Sequence, residues 1–123
     1  FGRLPISIVG DGDSMYTPGV HWTSAHHQIP LLSIIHNNRG YHQELMHVQR
    51  MANWRQRGEP GSIDPGNVIN KPNIDFAKVG EGLGIWTTGP ITSPNQLRAA
   101  LRKAIDVVEN GEPALVDVIT QPR

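Results

Sequence analysis

Two short apolar runs, Pro5-Ile6-Ser7-Ile8-Val9 and Leu31-Leu32-Ser33-Ile34-Ile35, stand out in a chain that is otherwise mixed and polar. Runs of this length without strict alternation read as buried parallel strands. Between them, Thr17-Pro18 predicts a helix start, with threonine as cap and proline in the first turn, and Gln28-Ile29-Pro30 predicts its end. The three elements make one strand-helix-strand unit. A right-handed crossover then brings the carboxyl ends of both strands to the same edge of a sheet, where open α/β sheets bind their ligands.

Further along, Leu45, Val48, Ala52 and Arg55 recur at helical spacing with Met51 beside them, which predicts a helix within 41–57. His47, Arg50, Arg55 and Arg57 give it a basic side, read as a solvated face. Residues 56–73 are rich in glycine, proline and asparagine and form a loop longer than compact domains usually carry. The expectation is a loose segment. Asp75-Phe76-Ala77-Lys78-Val79 begins a short helix that Gly80-Glu81-Gly82-Leu83-Gly84 ends; these glycines follow a helix and enter a strand, the reverse of a dinucleotide fingerprint. Ile85-Trp86-Thr87 is a third strand. Ser93-Pro94-Asn95-Gln96 has the form of a capping box, and Leu97, Leu101, Ala104, Ile105 and Val108 make the buried stripe of the helix it opens, stopped by Asn110-Gly111. A fourth strand runs over 115–120, followed by a tail, Gln121-Pro122-Arg123. The fold class is α/β, a parallel sheet with helices on both faces.

At 123 residues the chain is one domain, 1–123, able to bury roughly two-thirds of its unfolded surface. Eleven basic residues balance eleven acidic ones, with no basic stripe among aromatics, so nucleic acid is not an expected partner. The longest apolar run falls far short of the ~20 residues that span a bilayer, so no membrane partner is expected either. The absence of cysteine excludes disulfides, thiolate metal sites and a cysteine nucleophile, and fits a cytoplasmic protein. Six histidines raise the question of zinc, but there is no His-Glu-x-x-His, and His42 and His47 fall on different helix faces. His21, His26 and His27 read as polar or interface residues of the first helix, and His36 as pointing out of a strand.

The chemistry collects where the first two strands end. Gly10-Asp11-Gly12 follows one and Asn37-Asn38-Arg39-Gly40 the other. Either alone is an ordinary turn former. Together at one edge, an Asp carboxylate, an Asn amide oxygen and a backbone carbonyl such as that of Gly40 make a hard oxygen set, suited to magnesium or calcium with phosphate oxygens completing the shell. The glycines around Asp11 let a phosphate approach the backbone, and a following helix directs its amino end there. A metal-bridged diphosphate fits this edge.

Gly-Asp-Gly followed by Asn-Asn, with roughly 26 residues from Asp11 to Asn37, resembles the thiamine-diphosphate motif of acetolactate synthases, benzoylformate decarboxylases and pyruvate decarboxylases. Ser14-Met15-Tyr16-Thr17-Pro18, Trp22-Thr23, Asn37-Asn38-Arg39-Gly40-Tyr41, Ile74-Asp75-Phe76-Ala77 and Pro113-Ala114-Leu115-Val116-Asp117-Val118 extend the resemblance to the carboxyl-terminal domain of that superfamily over essentially the whole chain. The resemblance implies thiamine diphosphate and Mg2+ as cofactors. Asp11, Asn38 and the Gly40 carbonyl would hold the metal; Gly10, Asp11, Gly12, Asp13, Ser14, Asn38, Gly40 and Tyr41 would bind the cofactor. It implies decarboxylation of a 2-oxo acid with ligation of the resulting enamine to an acceptor, most like an acetolactate synthase.

Glu44, four residues past Gly40, stands where decarboxylases of this superfamily carry a proton-transferring glutamate, which makes it the catalytic candidate. Asp13 departs from the family pattern, since many relatives have serine or alanine there and a second carboxylate beside a diphosphate is repulsive unless it turns away or toward metal. Relatives also carry a strand-helix segment just upstream, a pyrimidine-binding domain and a middle domain. The chain therefore reads as the latter part of that fold, a piece of a larger homo-oligomeric enzyme and inactive alone. Two alternatives stay open: an aryl 2-oxo-acid decarboxylase of the same superfamily, and a catalytically silent cofactor-binding module.

Overall fold

The computed structural model describes residues 3–58 and 64–120. Over these the chain runs β1 (Ile6–Gly10), α1 (Asp11–Tyr16), α2 (Gly19–His26), β2 (Leu32–Asn37), α3 (His42–Trp54), α4 (Phe76–Gly82), β3 (Trp86–Ile91), α5 (Pro94–Glu109) and β4 (Ala114–Ile119). The strands form one parallel sheet in the order β1-β2-β4-β3. Alternation along the central strands divides the core between two faces. Leu32, Ala114 and Val116 pack with Ala104 and Val108 of α5, and Leu101 and Ile105 of the expected stripe join them. Ile35 and Leu115 face the other way, onto Phe76 of α4 and Ile85, with Ala25 of α2 at the margin. Helices on both faces of a parallel sheet were legible from the sequence.

The first helix is two. α1 leaves β1 directly at Asp11, and α2 starts only at Gly19, with Pro18 rather than Thr17 at its cap and no side-chain capping bond. Pro18 has no N–H with which to extend α1, so the segment breaks there, and Thr17 closes α1 instead of opening α2. The helix whose amino end lies at the strand edge is thus α1. At the other end, Gln28 takes a left-handed φ of 49° and stops α2 before Ile29-Pro30.

Further expectations are corrected. The capping box at α5 is not made: the Ser93 carbonyl already accepts the Gln96 N–H at 3.0 Å, the bond the hydroxyl would have formed. β1 is an edge strand and not a buried one, with Ile6 and Ile8 53 % and 72 % exposed. Among the described residues it pairs on one side only, and α5 packs over β3 and β4 rather than over β1. His21 is buried in α2, not on a polar face, whereas His36 is exposed as expected. Of the long loop, residues 59–63 lie outside the described ones, as does the tail 121–123. Its later part is tied: Tyr41 N–H donates to the Asn67 carbonyl and Ile69 N–H to that of Arg39, each at 2.8 Å. Among the described residues no helix is long and apolar enough to cross a membrane.

Candidate functional site

β1 and β2 are parallel neighbours, Gly10 pairing with His36, so Asp11 and Asn38 both emerge at the carboxyl edge. Asp11 is 2 % exposed. Its Oδ1 accepts the N–H of Gly12 and its Oδ2 that of Gly40, both at 3.0 Å. The Asn38 Oδ1 accepts the same Gly40 N–H at 3.1 Å. One backbone nitrogen therefore gathers both side-chain oxygens proposed from the sequence, and Arg39 makes the turn possible by taking a left-handed φ of 64°. An antiparallel bridge from Gly40 to Val68 fixes this turn against the 64–73 segment.

The glycines are required by what packs on them. A Cβ on Gly12 would run into the Tyr41 ring, and one on Gly40 would come within 2.6 Å of the Asn67 carbonyl oxygen. Tyr41 lies across Gly12, its hydroxyl donating to the Gly12 carbonyl at 3.3 Å, and its ring centroid is 6.1 Å from that of Tyr16. A hydrogen bond with the Tyr16 hydroxyl pushes the Tyr41 phenol up to about 12, with burial and the charges of Asp13 and Asp11 adding to it. Tyr41 thus stays neutral and remains a donor.

Gly10, Asp11, Gly12, Asp13, Asn38, Gly40, Tyr41 and Glu44 line one cleft of about 370 Å³. Of the residues singled out from the sequence, Ser14 alone is not on its wall; it is buried on α1. Asp13 is exposed and folds back so that its Oδ2 lies 3.4 Å from where a Gly10 Cβ would stand. Glu44, exposed in the first turn of α3, sits at the lip between this cleft and a neighbouring groove along α3. The chemistry of the donor set suits a hard cation. Asp11 is a buried carboxylate bound only by backbone N–H groups, the single ion pair among the described residues being Lys78 with Asp75 at 3.1 Å.

Two residues of the quoted motifs that were given no site role, Asn37 and Asp117, stand behind this edge. Asp117 is fully buried on β4, and Asn37 donates its Nδ2 to the Asp117 Oδ1 at 3.0 Å. Burial pushes the Asp117 carboxyl above the usual range, while Asn37 and the Phe76 N–H pull it back and the charges of Asp75 and Asp11 add to the rise. The available signal was a carboxylate in an apolar strand, Ala114-Leu115-Val116-Asp117-Val118. His42, which also lines the cleft, carried no such signal.

The chain is similar to known proteins of one family. Residues 2–118 match the family described as thiamine pyrophosphate enzyme, C-terminal TPP binding domain. A Mycobacterium tuberculosis protein assigned as an acetolactate synthase large subunit, IlvX, is 31 % identical over 117 residues, which are 95 % of this chain and 22 % of that one. The structure of a thiamine diphosphate-dependent 4-hydroxybenzoylformate decarboxylase from Rhodococcus jostii RHA1 superposes with a TM-score of 0.74 at 27 % identity, covering 98 % of this chain and 20 % of the other. Benzoylformate decarboxylase from Polynucleobacter necessarius shares the fold, with a TM-score of 0.67 at 18 % identity over 96 % of this chain and 20 % of its own. The chain spans about a fifth of the length of these relatives.

Proposed function

The chain belongs to the thiamine pyrophosphate enzymes, as their C-terminal TPP-binding domain, and on that premise we propose that it is the cofactor-holding part of an enzyme that decarboxylates a 2-oxo acid and ligates the product to an acceptor, in the manner of an acetolactate synthase. The observation that carries the reading is the convergence of Asp11 and Asn38 on Gly40. The Asp11 carboxylate, the Asn38 amide oxygen and the Gly40 carbonyl would hold Mg2+, an oxygen set that such a hard cation prefers. Gly10, Gly12 and Asp13 would surround the diphosphate, with Ser14 buried behind them. Thiamine diphosphate supplies the electron sink that loss of a carboxylate needs.

The remaining work falls to this chain's own groups. Tyr41, just ahead of α3, clamps the Gly12 carbonyl of α1. Glu44 at the cleft lip is the proposed proton carrier, exposed enough to exchange with solvent and near enough to the cleft to serve it. The relatives' greater length supports a larger polypeptide in which other domains cover the cofactor's far end. A second reading, an aryl 2-oxo-acid decarboxylase, is favoured by the likeness to the R. jostii enzyme and by the position of Glu44.

Carbon dioxide release and product analysis with pyruvate and with benzoylformate, in the full-length polypeptide loaded with thiamine diphosphate and Mg2+, test this. Acetolactate from pyruvate supports the first reading, and benzaldehyde from benzoylformate the second. Release from either that persists in Asp11→Ala would contradict both.

A further inference from the structure

Asp117 is a charged residue placed where the fold has no use for its bulk. Its neighbours on the same face, Leu115 and Ile35, are fully buried and apolar, and an aliphatic side chain would continue their layer. Three elements close around it. Asn37 of β2 donates to its Oδ1, the backbone of Phe76 at the start of α4 favours its charged form, and Gly89 of β3 approaches so closely that an added Cβ would stand 2.8 Å from the Asp117 Cβ. The Asp117 Oδ2 has no partner among the described residues. Burying a carboxylate is costly, so packing alone does not account for this arrangement.

What it directs is Asn37. That residue is 3 % exposed and held at both ends, its side chain by Asp117 of β4 and its carbonyl by the Thr120 N–H just after β4, at 2.9 Å. The next residue is Asn38, where the chain leaves the sheet, turns through the left-handed Arg39 and brings Gly40 back to Asp11. A rotation at Asn37 would swing the Asn38 amide away from Gly40. We propose that Asp117 is a positioning residue for the metal half-site, acting through Asn37 on the turn formed by Asn38, Arg39 and Gly40; this rests on the cofactor reading given above. Groups hydrogen-bonded to a metal ligand set its orientation, and their loss weakens metal binding by about 10–100-fold; Asp117 and Asn37 act one residue behind Asn38, so the lower end of that range is expected.

The test uses Mn2+ as the probe, titrated into the full chain with thiamine diphosphate present and followed by electron paramagnetic resonance, with circular dichroism to establish that each variant is folded at the temperature used. Asn37→Ala and Asp117→Leu are expected to weaken Mn2+ binding about 10-fold, whereas Asp117→Asn, which keeps an oxygen for the Asn37 amide, stays close to the unsubstituted chain. A purely structural role would lower melting in all three without separating them by affinity. If Asp117→Leu does not fold, the contrast between Asn37→Ala and Asp117→Asn carries the test. Unchanged affinity in folded Asn37→Ala, or equal losses in Asn37→Ala and Asp117→Asn, would overturn the assignment while leaving the cofactor reading intact. Failure of the unsubstituted chain to bind Mn2+ would overturn that reading, and the assignment with it.

Discussion

Gly12 concentrates the physical demands of the site in one residue: its carbonyl is held by the Tyr41 hydroxyl, its N–H by Asp11, and its Cα by the Tyr41 ring. A methyl group there must displace the ring. Gly12→Ala is expected to cost roughly 1–3 kcal/mol, as overpacking of a tight contact does, and to abolish cofactor binding, both readable from thermal melts with and without thiamine diphosphate and Mg2+. His21 gives a second effect at this scale. Burial lowers its folded pKa below the ordinary histidine value, so the unfolded chain takes up the proton first as pH falls. The stability His21 permits is complete above about 6.5 and is lost as pH drops through the lowered folded value. His21→Gln is expected to flatten melting temperature against pH across that window; an unchanged slope would assign the effect to other groups.

At the scale of elements, the contrast between β1 and β2 matters most. Both are short apolar runs, yet β2 is covered on both faces while β1 leaves Ile6 and Ile8 in solvent with one side unpaired. An open strand edge beside an apolar face favours association. The chain is expected to form a dimer or larger species in a light-scattering concentration series, and Ile8→Lys to shift it toward monomer, charge on an edge strand being the usual block to such pairing. A monomer at every concentration would contradict this. The 64–73 segment makes the opposite point: a stretch read as loose is fastened to the site through Asn67 and Ile69.

Across the whole molecule, the layers of the fold were written in periodicity. The stripe on α5 and the apolar strand runs specify which faces meet, and paired motifs at strand ends specify the edge where Asp11 and Asn38 gather. What escaped the sequence is what depends on neighbours far along the chain. Nothing local distinguishes an edge strand from a central one, a proline that begins a helix from one that divides two, or a histidine on a polar face from one that is buried. Asp117 and Asn37 lie 80 positions apart, and only the β2–β4 register joins them.

Asp11, Asn38 and Gly40 are proposed to form a divalent-metal site for the diphosphate of thiamine diphosphate. Calorimetric titration of thiamine diphosphate into the chain, with Mg2+, with a chelator, and with Mg2+ after Asp11→Ala, tests it most directly. Saturable binding that requires Mg2+ and disappears in Asp11→Ala is the expected result. Binding that is indifferent to the metal, or that survives the loss of Asp11, would contradict it.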